Sequence, residues 1–284
     1  MTNRDLLNAF VGAYPAQPAT AFWRAIEIGV LARCGLPEGL GLDLGCGDGI
    51  LTDILLRETG PRTLIGVDID PLETEAAARF PFYRRVHACP GDCIPEPDAS
   101  FDFVLSNSVL EHIPDLEATI AEVSRLLRTD GRFVFTVPGP GFHENLGGSV
   151  LPFVNRAAYL GVIDRRLAHR HYLSPEQWQA MCARNGLVLD ACRGYLDGRE
   201  TRRWETLSRM TGGLLYSLLG EVRRPIEIQR RLGARDLQNK TRLPVPMARA
   251  LAGLLSVGVP VDANASLWIA PEEASCLLVE GHRA

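Results

Sequence analysis

The chain has 284 residues, enough for one large domain, or for one domain with a sizeable insertion, around a complete core. Hydrophobic residues make up 46% of it and charged residues 23%, a balance that argues against disorder. The net charge of -4 argues against general nucleic-acid binding, which usually shows as a basic domain or stripe.

The cysteines and the apolar stretches indicate in which cellular compartment the protein is expected. Seven cysteines are scattered without the dense spacing of a secreted disulfide scaffold, so a cytoplasmic protein is expected. The N-terminal segment lacks the basic and then apolar order of a signal peptide. Prolines and Arg249 interrupt the longest apolar stretch, 243–261, so no membrane-spanning helix is predicted, whereas contact with a membrane surface stays open.

Cys89 and Cys93 lack a second Cys or His pair at ligand spacing, so no metal site is predicted.

In chain order, the first predicted element is an amphipathic helix over 21–34, which Gly35 is placed to end. Short apolar runs then alternate with helical patterns. The strands are predicted at 40–44, 63–68, 85–89, 101–107 and 131–137, and the helices between them include 50–58 and 115–127. Such alternation indicates parallel strands joined by helices.

The pattern breaks at the Pro-Gly-Pro-Gly run, 138–141, and resumes at Ser174. The Ser-Pro-Glu-Gln start there predicts a helix over 175–185, and a sixth strand follows over 187–192. The last segments are helices around 204–219 and 246–255 and a final strand over 275–280. The predicted domains are an N-terminal helical arm over 1–36, a core over 37–198 and 272–284, and a helical insertion over 199–271.

The insertion is the basic part of an acidic chain. Between Arg193 and Arg242 there are twelve basic and six acidic residues. They are either solvated helix faces or a surface that attracts an acidic acceptor or partner. The apolar residues of the same segment are either the core of a helical cap or a lid over an apolar acceptor.

The first predicted strand runs into a turn with glycine at alternate positions, Gly45, Gly47 and Gly49. Glycine reaches positive φ there and lets a ligand approach the backbone. A dinucleotide fingerprint needs its third glycine one residue later, where Ile50 stands. Asp43 and Asp48 add negative charge that would repel a pyrophosphate, which favours a cationic ligand such as S-adenosylmethionine.

Two further acids follow the next two strands. Asp68 is placed to accept hydrogen bonds from ribose hydroxyls, and Asp92 from an adenine amino group. Either could instead be a turn aspartate. Three acids at the ends of successive parallel strands lie where α/β proteins bind ligands, which favours the binding site.

With these residues, the chain resembles the class I S-adenosylmethionine-dependent methyltransferases, in particular the small-molecule group related to ubiquinone biosynthesis. The segments 94–102, 106–113 and 126–132 also match that group. The resemblance implies a seven-stranded, Rossmann-like, mostly parallel α/β sheet whose last strand, 275–280, is antiparallel. It also implies cofactor contacts at Arg24, Asp43, Gly45, Cys46, Gly47, Asp68, Ile69, Asp92, Cys93 and Asn107.

By the same resemblance, His112 is a candidate base, and His143, His169, His171 and Tyr172 lie in segments from which relatives build acceptor pockets. A histidine with an ordinary pKa suits base work near neutral pH, although each of these residues could be structural.

Two motifs that the fourth strand lacks limit the class of reaction that is expected. The fourth strand ends in Ser106-Asn107-Ser108-Val109, not in the Asn-Pro-Pro-Tyr type of loop of enzymes that methylate nucleobase amines, and it carries no metal-chelating acid before Glu111. The expected function is therefore metal-free methyl transfer to a small or lipid-like acceptor, acidic or carrier-bound, with oxygen favoured over nitrogen or carbon. The alternatives are an inactive cofactor-binding partner subunit and a nicotinamide-dependent oxidoreductase.

Overall fold

A computed structural model of the chain describes residues 3–15, 17–150, 152–210, 244–256 and 268–284. Seven strands of this part form one sheet in the order β3-β2-β1-β4-β5-β7-β6. They are β1 (Leu40–Leu44), β2 (Thr63–Asp68), β3 (Tyr83–Ala88), β4 (Phe101–Asn107), β5 (Leu127–Pro138), β6 (Leu187–Tyr195) and β7 (Cys276–Arg283). The first five pair in parallel, and β7 is antiparallel to both β5 and β6, as predicted.

The helices cover both faces of the sheet. They are α1 (Asn3–Ala13), α2 (Pro18–Cys34), α3 (Ile50–Thr59), α4 (Pro71–Ala77), α5 (Leu116–Leu126), α6 (Gly141–Asn145), α7 (Arg156–Leu167), α8 (Pro175–Arg184), α9 (Gly198–Ser208) and α10 (Val245–Ser256), with a short 3-10 helix at Leu110–His112. Apolar residues of α1, α2, α3 and α10 form one buried cluster, and those of α5 and α8 form a second. None of the described helices is long and apolar enough to cross a membrane.

Two helix starts show how local sequence sets these boundaries. The Ser174 hydroxyl accepts from the Gln177 backbone N–H while the Gln177 side chain accepts from the Ser174 N–H, which is the predicted start of α8. Asp197 and Glu200 form the same reciprocal pair, so α9 begins at Gly198, earlier than the predicted 204. Helix α2 also begins early, at Pro18, because proline is well suited to a first turn.

Several strand ends differ from the prediction. Strand β5 begins at Leu127 because this residue pairs with Phe101 ahead of a register shift, whereas 131 was the predicted start. Strand β3 runs from Tyr83 to Ala88, not over 85–89, and β6 and β7 extend beyond their predicted ends along their shared antiparallel ladder. The rest of the predicted 204–219 helix and most of the basic segment lie outside the described residues, and the domain boundaries stay predictions.

Candidate functional site

The glycine turn, residues 45–49, lies at the carboxyl end of β1 in the middle of the sheet. The backbone N–H groups of Gly45 and Cys46 donate to the Val67 carbonyl of β2 at 2.7 and 2.9 Å. Gly45 has φ +83°, and a Cβ there would lie 2.2 Å from Cγ2 of Val109. Gly47 has φ +52°, and a Cβ there would meet no atom of the described residues within 4 Å. The turn therefore packs tightly on the Val109 side and faces open space at Gly47.

Asp68, at the end of β2, is joined to this turn. One carboxylate oxygen accepts from the Gly47 N–H at 3.0 Å, and the other accepts from the Asp70 N–H at 2.9 Å. The residue remains partly exposed, and Ile69 beside it is 74% exposed. Asp68 thus holds the turn from a partly exposed position at the end of β2, which suits the predicted ribose contact.

Asp43 lies beneath the turn instead of lining it. Its buried carboxylate accepts from the Thr52 hydroxyl of α3 at 2.6 Å and from the Tyr83 hydroxyl of β3. Burial raises the pKa of Asp43 to about 6, although these two hydrogen bonds favour the ionised form. Its contacts are those of a group that supports the turn, and a contact with the cofactor stays a prediction.

Asp92 and Cys93 follow β3 and are exposed. The Cys93 N–H donates to the Pro90 carbonyl at 3.4 Å, so the segment is a turn. The neighbouring Gly91 packs near Leu44, where a Cβ would lie 3.2 Å from Cδ1 of that leucine. The two predicted adenine contacts therefore lie at the same edge of the sheet as the glycine turn.

A second feature is the Glu27 cluster, which joins α2 to the ends of three strands. Glu27 is fully buried, and its carboxylate accepts hydrogen bonds from one arginine, one amide and three hydroxyls. The donors are Arg24, Asn107 at 3.1 Å, Ser108, Thr136 at 3.1 Å and Tyr195 at 3.0 Å. Burial alone would raise the pKa of Glu27, but the Arg24 guanidinium and the hydrogen bonds hold it below its usual range.

This cluster changes the interpretation of two predicted contacts. Arg24 is paired with Glu27, and the Asn107 amide is shared between Glu27 and Thr136. Both predicted cofactor residues are therefore fixed in place by one carboxylate. The sequence analysis missed Glu27, although a glutamate between Ile26 and Ile28 in an apolar helix was a usable signal.

The third feature is a histidine cluster at the end of β4, formed by Glu111, His112, His143, Asp164, His169 and Tyr172. Residues 168–171 are tied to the 3-10 helix by backbone and ring contacts. The Arg170 N–H donates to the Glu111 carbonyl at 2.8 Å, and Nδ1 of His112 lies 3.1 Å from the Ala168 carbonyl. These contacts hold His169 over Glu111.

Within the cluster, the hydrogen bonds continue outward from His169. Its Nδ1 lies 3.0 Å from the Tyr172 hydroxyl, which donates to Asp164 at 2.5 Å. Nε2 of His143 lies 2.8 Å from the same Asp164 oxygen. Phe142 stacks on Tyr172 at a centroid distance of 5.8 Å and contacts Trp204 at 5.7 Å, so the polar chain runs along an aromatic wall.

Three of the four predicted catalytic residues, His112, His143 and Tyr172, are thus brought together. His171 lies outside this hydrogen-bonded cluster, because its Nε2 contacts the Ile113 carbonyl at 2.8 Å instead. Glu111 and Asp164 were missed as site residues. Glu111 stands next to His112 in sequence, but only the fold brings Asp164 of α7 beside them.

One ligand atom from each of Glu111, His112 and His169 lies within 4.8 Å of the other two. These distances are longer than hydrogen bonds, so the three groups are close enough to bind one small ligand or cation together but do not bond to one another. Burial raises the pKa of Glu111 to about 8, and the charge of Glu27 adds to the effect. Burial lowers the pKa of His169 to about 3, helped by His112 and His143. At neutral pH the site therefore holds a largely protonated acid beside a neutral imidazole.

A family model described as a methyltransferase domain matches residues 28–191, more than half of the chain. The chain belongs to this methyltransferase family. The match confirms the predicted family, whose expected cofactor is S-adenosylmethionine.

Two curated relatives show how far the similarity extends. The malonyl-acyl-carrier-protein O-methyltransferase of Halorhodospira halophila is 33% identical over 132 residues, 45% of this chain and 42% of the relative. The ubiquinone biosynthesis O-methyltransferase of Neisseria meningitidis serogroup C is 27% identical over 161 residues, 54% of this chain and 65% of the relative. Each alignment spans less than two thirds of the relative's own length.

Solved structures share the fold at low sequence identity. The geranyl diphosphate C-methyltransferase of Streptomyces coelicolor A3(2) is similar with a TM-score of 0.52 and 14% identity, over 90% of this chain and 78% of that one. The cyclase SpnF is similar with a TM-score of 0.52 and 13% identity, over 91% and 80% of the two chains. Because these folds carry different reactions, the reaction must be argued from the site.

Proposed function

We propose that this methyltransferase moves the methyl group of S-adenosylmethionine to an oxygen of a small-molecule, lipid-like or carrier-bound acceptor, without a metal ion. The observation that carries the proposal is the position of the histidine cluster. It starts two residues after Val109, whose side chain lies against Gly45 of the glycine turn. The proposed cofactor site and a set of proton-accepting groups thus share one edge of the sheet.

The residues present fit an adenosyl ligand. The space at Gly47 would admit its methionine half beside Gly45, Cys46 and Asn107, while Asp68 and Ile69 would hold the ribose. Asp92 and Cys93 would meet the adenine, and Arg24 would lie on the carboxylate side. When bound, this cofactor supplies a methyl carbon activated by positively charged sulfur.

The chain's own residues would then align the acceptor and take its proton. Alignment of the acceptor oxygen with the methyl carbon can supply much of the rate enhancement. The histidine cluster provides the acid and base groups for an acceptor that carries a proton. The aromatic wall of Phe142 and Trp204 suits an acceptor with an apolar or planar body.

The relatives' names guide the choice of acceptors. Both are called O-methyltransferases, one acting on malonyl-acyl-carrier protein and the other in ubiquinone biosynthesis. An excess of basic over acidic residues between Arg193 and Arg242 would attract an acidic or carrier-bound acceptor. An inactive cofactor-binding partner subunit is the second candidate.

The test combines binding and turnover. Calorimetry should detect S-adenosylmethionine binding and no NADH binding, and Asp68→Asn should weaken it by roughly 10-fold or more, since a charged acceptor of hydrogen bonds is lost. Formation of S-adenosylhomocysteine is then measured with a malonyl carrier protein, a polyprenyl catechol and a short catechol, each with and without EDTA.

Product formation with one acceptor, unaffected by EDTA, is the expected result. Activity that EDTA abolishes and Mg²⁺ or Zn²⁺ restores would refute the metal-free part. Cofactor binding without product formation, with every acceptor and with cell extract, would favour the partner subunit. Absence of cofactor binding would refute both the methyltransferase and the partner-subunit proposals.

A further inference from the structure

The loop between α6 and α7, residues 147–155, carries the two most exposed large apolar side chains of the described residues. Val150 is 76% exposed and Phe153 is 80% exposed. Single exposed apolar residues are common on protein surfaces, so exposure alone assigns them no role. The way in which the loop is held, and the charges beside it, give this exposure its meaning.

Both ends of the loop are fixed to neighbouring helices. At its start, the buried Glu205 carboxylate of α9 accepts from the Gly147 N–H at 2.8 Å and from the Gly148 N–H at 3.3 Å. At its end, the Asn155 side chain caps α7 by accepting a backbone hydrogen bond at 2.8 Å. The fold therefore presents the apolar part of the loop to solvent from two fixed ends.

Beside this loop, the outer side of α9 is basic. Its exposed residues Arg199, Arg202 and Thr206 recur at the three- and four-residue spacing of one helix face. Met210, 72% exposed, follows four residues after Thr206. The Arg199 side chain is 74% exposed, and it pairs with Asp197 at 3.4 Å. A stripe with two exposed guanidinium groups thus ends in an exposed apolar side chain.

The loop, α9 and the end of α10 adjoin one another. Arg209 donates to the Gly148 carbonyl of the loop, and Arg203 donates to the Leu254 carbonyl of α10 at 3.4 Å. The Leu254 side chain is 66% exposed. We call the surface that these segments share the α9 face, and its members are Val150, Phe153, Arg199, Arg202, Met210 and Leu254.

The α9 face is the outer surface of a helix that borders the proposed acceptor side. On the inner side of α9, buried Trp204 contacts Phe142 at a centroid distance of 5.7 Å. Phe142 in turn stacks on Tyr172 of the histidine cluster at 5.8 Å. Helix α9 therefore joins the aromatic wall to a surface that is both apolar and basic.

We propose that the α9 face docks on a membrane surface that carries anionic lipids. Protruding apolar side chains are stabilised where lipid headgroups meet acyl chains, and guanidinium groups bind the phosphate oxygens of the headgroups. The docking goes beyond the proposed function. Only its use, the passage of a lipid-like acceptor from the membrane to the site, rests on that function.

The charges and the shape of the face favour a membrane over an acidic carrier protein. The whole chain has a net charge of -4, so attraction to an anionic surface must come from a local excess of basic residues. Such an excess exists between Arg193 and Arg242, where twelve basic residues stand against six acidic ones. Phe153 and Val150 protrude, which suits insertion into lipid, whereas a protein partner would need a pocket for each of them.

Vesicle sedimentation of the full chain tests the docking directly. Vesicles of phosphatidylcholine alone are compared with vesicles of phosphatidylcholine mixed with phosphatidylglycerol. The affinity for the mixed vesicles should be roughly 10-fold higher or more, because each basic residue near an anionic surface adds to binding. Roughly 0.5 M NaCl should remove most of this difference, because salt screens the attraction.

The apolar part of the face is tested by Val150→Ser combined with Phe153→Ser. This variant should bind the mixed vesicles at least roughly 10-fold more weakly, because two side chains no longer gain from burial in lipid. Val188→Ser is the matched control, since Val188 is 45% exposed on β6, outside the α9 face. The control should keep the affinity of the wild-type protein.

The basic part is tested by Arg199→Gln combined with Arg202→Gln. This variant should lose roughly 10-fold in affinity for the mixed vesicles and little for phosphatidylcholine alone. Arg57→Gln combined with Arg184→Gln removes the same charge from exposed arginines of α3 and α8. That control should bind as the wild-type protein does.

Calorimetry with S-adenosylmethionine, without lipid, separates the docking from the proposed function. Vesicle binding that follows the expected pattern without cofactor binding would support the docking and refute the proposed function. Cofactor binding without preference for the mixed vesicles would show that the docking is wrong. Equal losses in the test and control variants would also overturn it, because the α9 face would then not be the contact.

A carrier protein is the competing partner for this face. The probe is an acidic acyl carrier protein, titrated into wild-type protein and into the variant that combines Arg199→Gln with Arg202→Gln. Binding that this variant abolishes, in a protein that does not bind vesicles, would assign the α9 face to a carrier protein and overturn membrane docking.

Discussion

The two sides of the sheet edge are built in different ways. At the glycine turn, Gly47 and Asp68 are 21 residues apart, and the Gly47 backbone N–H donates to the Asp68 carboxylate at the end of the adjacent strand β2. At the Glu27 cluster, Glu27 bonds to Asn107 and Tyr195, which are 80 and 168 residues away. The first side depends on local backbone geometry, and the second depends on a buried carboxylate that gathers distant segments.

This difference has an energetic consequence. Gly47 faces open space among the described residues, so a change there can lower ligand affinity without unfolding the protein. The buried Glu27 carboxylate cannot be removed without leaving the Arg24 guanidinium and other donors unpaired in the interior. Substitutions on the two sides should therefore separate binding from stability.

The largest effect is expected for Glu27→Ala. Removing one partner of a buried, hydrogen-bonded ion pair should lower the free energy of unfolding by about 3 to 5 kcal/mol, measured by urea denaturation. Glu117→Ala is the control, since this exposed glutamate pairs with exposed Arg184 at 2.7 Å and should change stability little. Equal losses in the two variants would contradict the distinction between the two sides.

Smaller losses of stability, unequal between two positions, are expected for substitutions in the glycine turn. Gly45→Ala should cost about 2 to 4 kcal/mol of unfolding free energy, because positive φ adds strain and the new Cβ collides with Val109. Gly47→Ala should cost only about 1 to 2 kcal/mol, from φ alone, because its Cβ meets open space.

Cofactor binding gives the complementary measurement for these glycines. The added methyl group of Gly47→Ala would occupy the space proposed for the ligand, so calorimetry should show weaker binding by a protein that is still folded. A Gly47→Ala variant with unchanged affinity would show that the ligand does not lie at Gly47.

A further effect, spread over several pH units, is a pH dependence from Glu111. Below its usual pKa of 4.5 the group is protonated in both the folded and the unfolded chain. Between 4.5 and about 8 only the folded chain keeps the proton, so stability should fall as pH rises, by up to about 1.4 kcal/mol per pH unit.

Thermal melts of the ligand-free protein should check this sign. Glu111→Gln cannot ionise, so its stability relative to wild type should be higher at pH 8 than at pH 5. A variant whose relative stability does not change with pH would indicate that Glu111 is ionised in the free protein.

Much of the fold was predictable because its signals are local. Strands β1, β2 and β4 have the predicted bounds, since each is a short apolar run that ends at a turn residue. The capped start of α8 was predictable for the same reason. The early starts of α9 and β5 were missed, because a second capping pair and a pairing across a register shift override simple apolar spacing.

The sequence by itself determined the family, the sheet and the expected cofactor, because the glycine turn and the acids after successive strands lie in fixed positions relative to local elements. Only the tertiary structure decided which polar groups act together. Glu27 and Asp164 carry no motif, and Glu111 gains its meaning from burial and from the rings of His112 and His169. Burial and pairing depend on segments far apart in the chain, so they arise only when those segments pack.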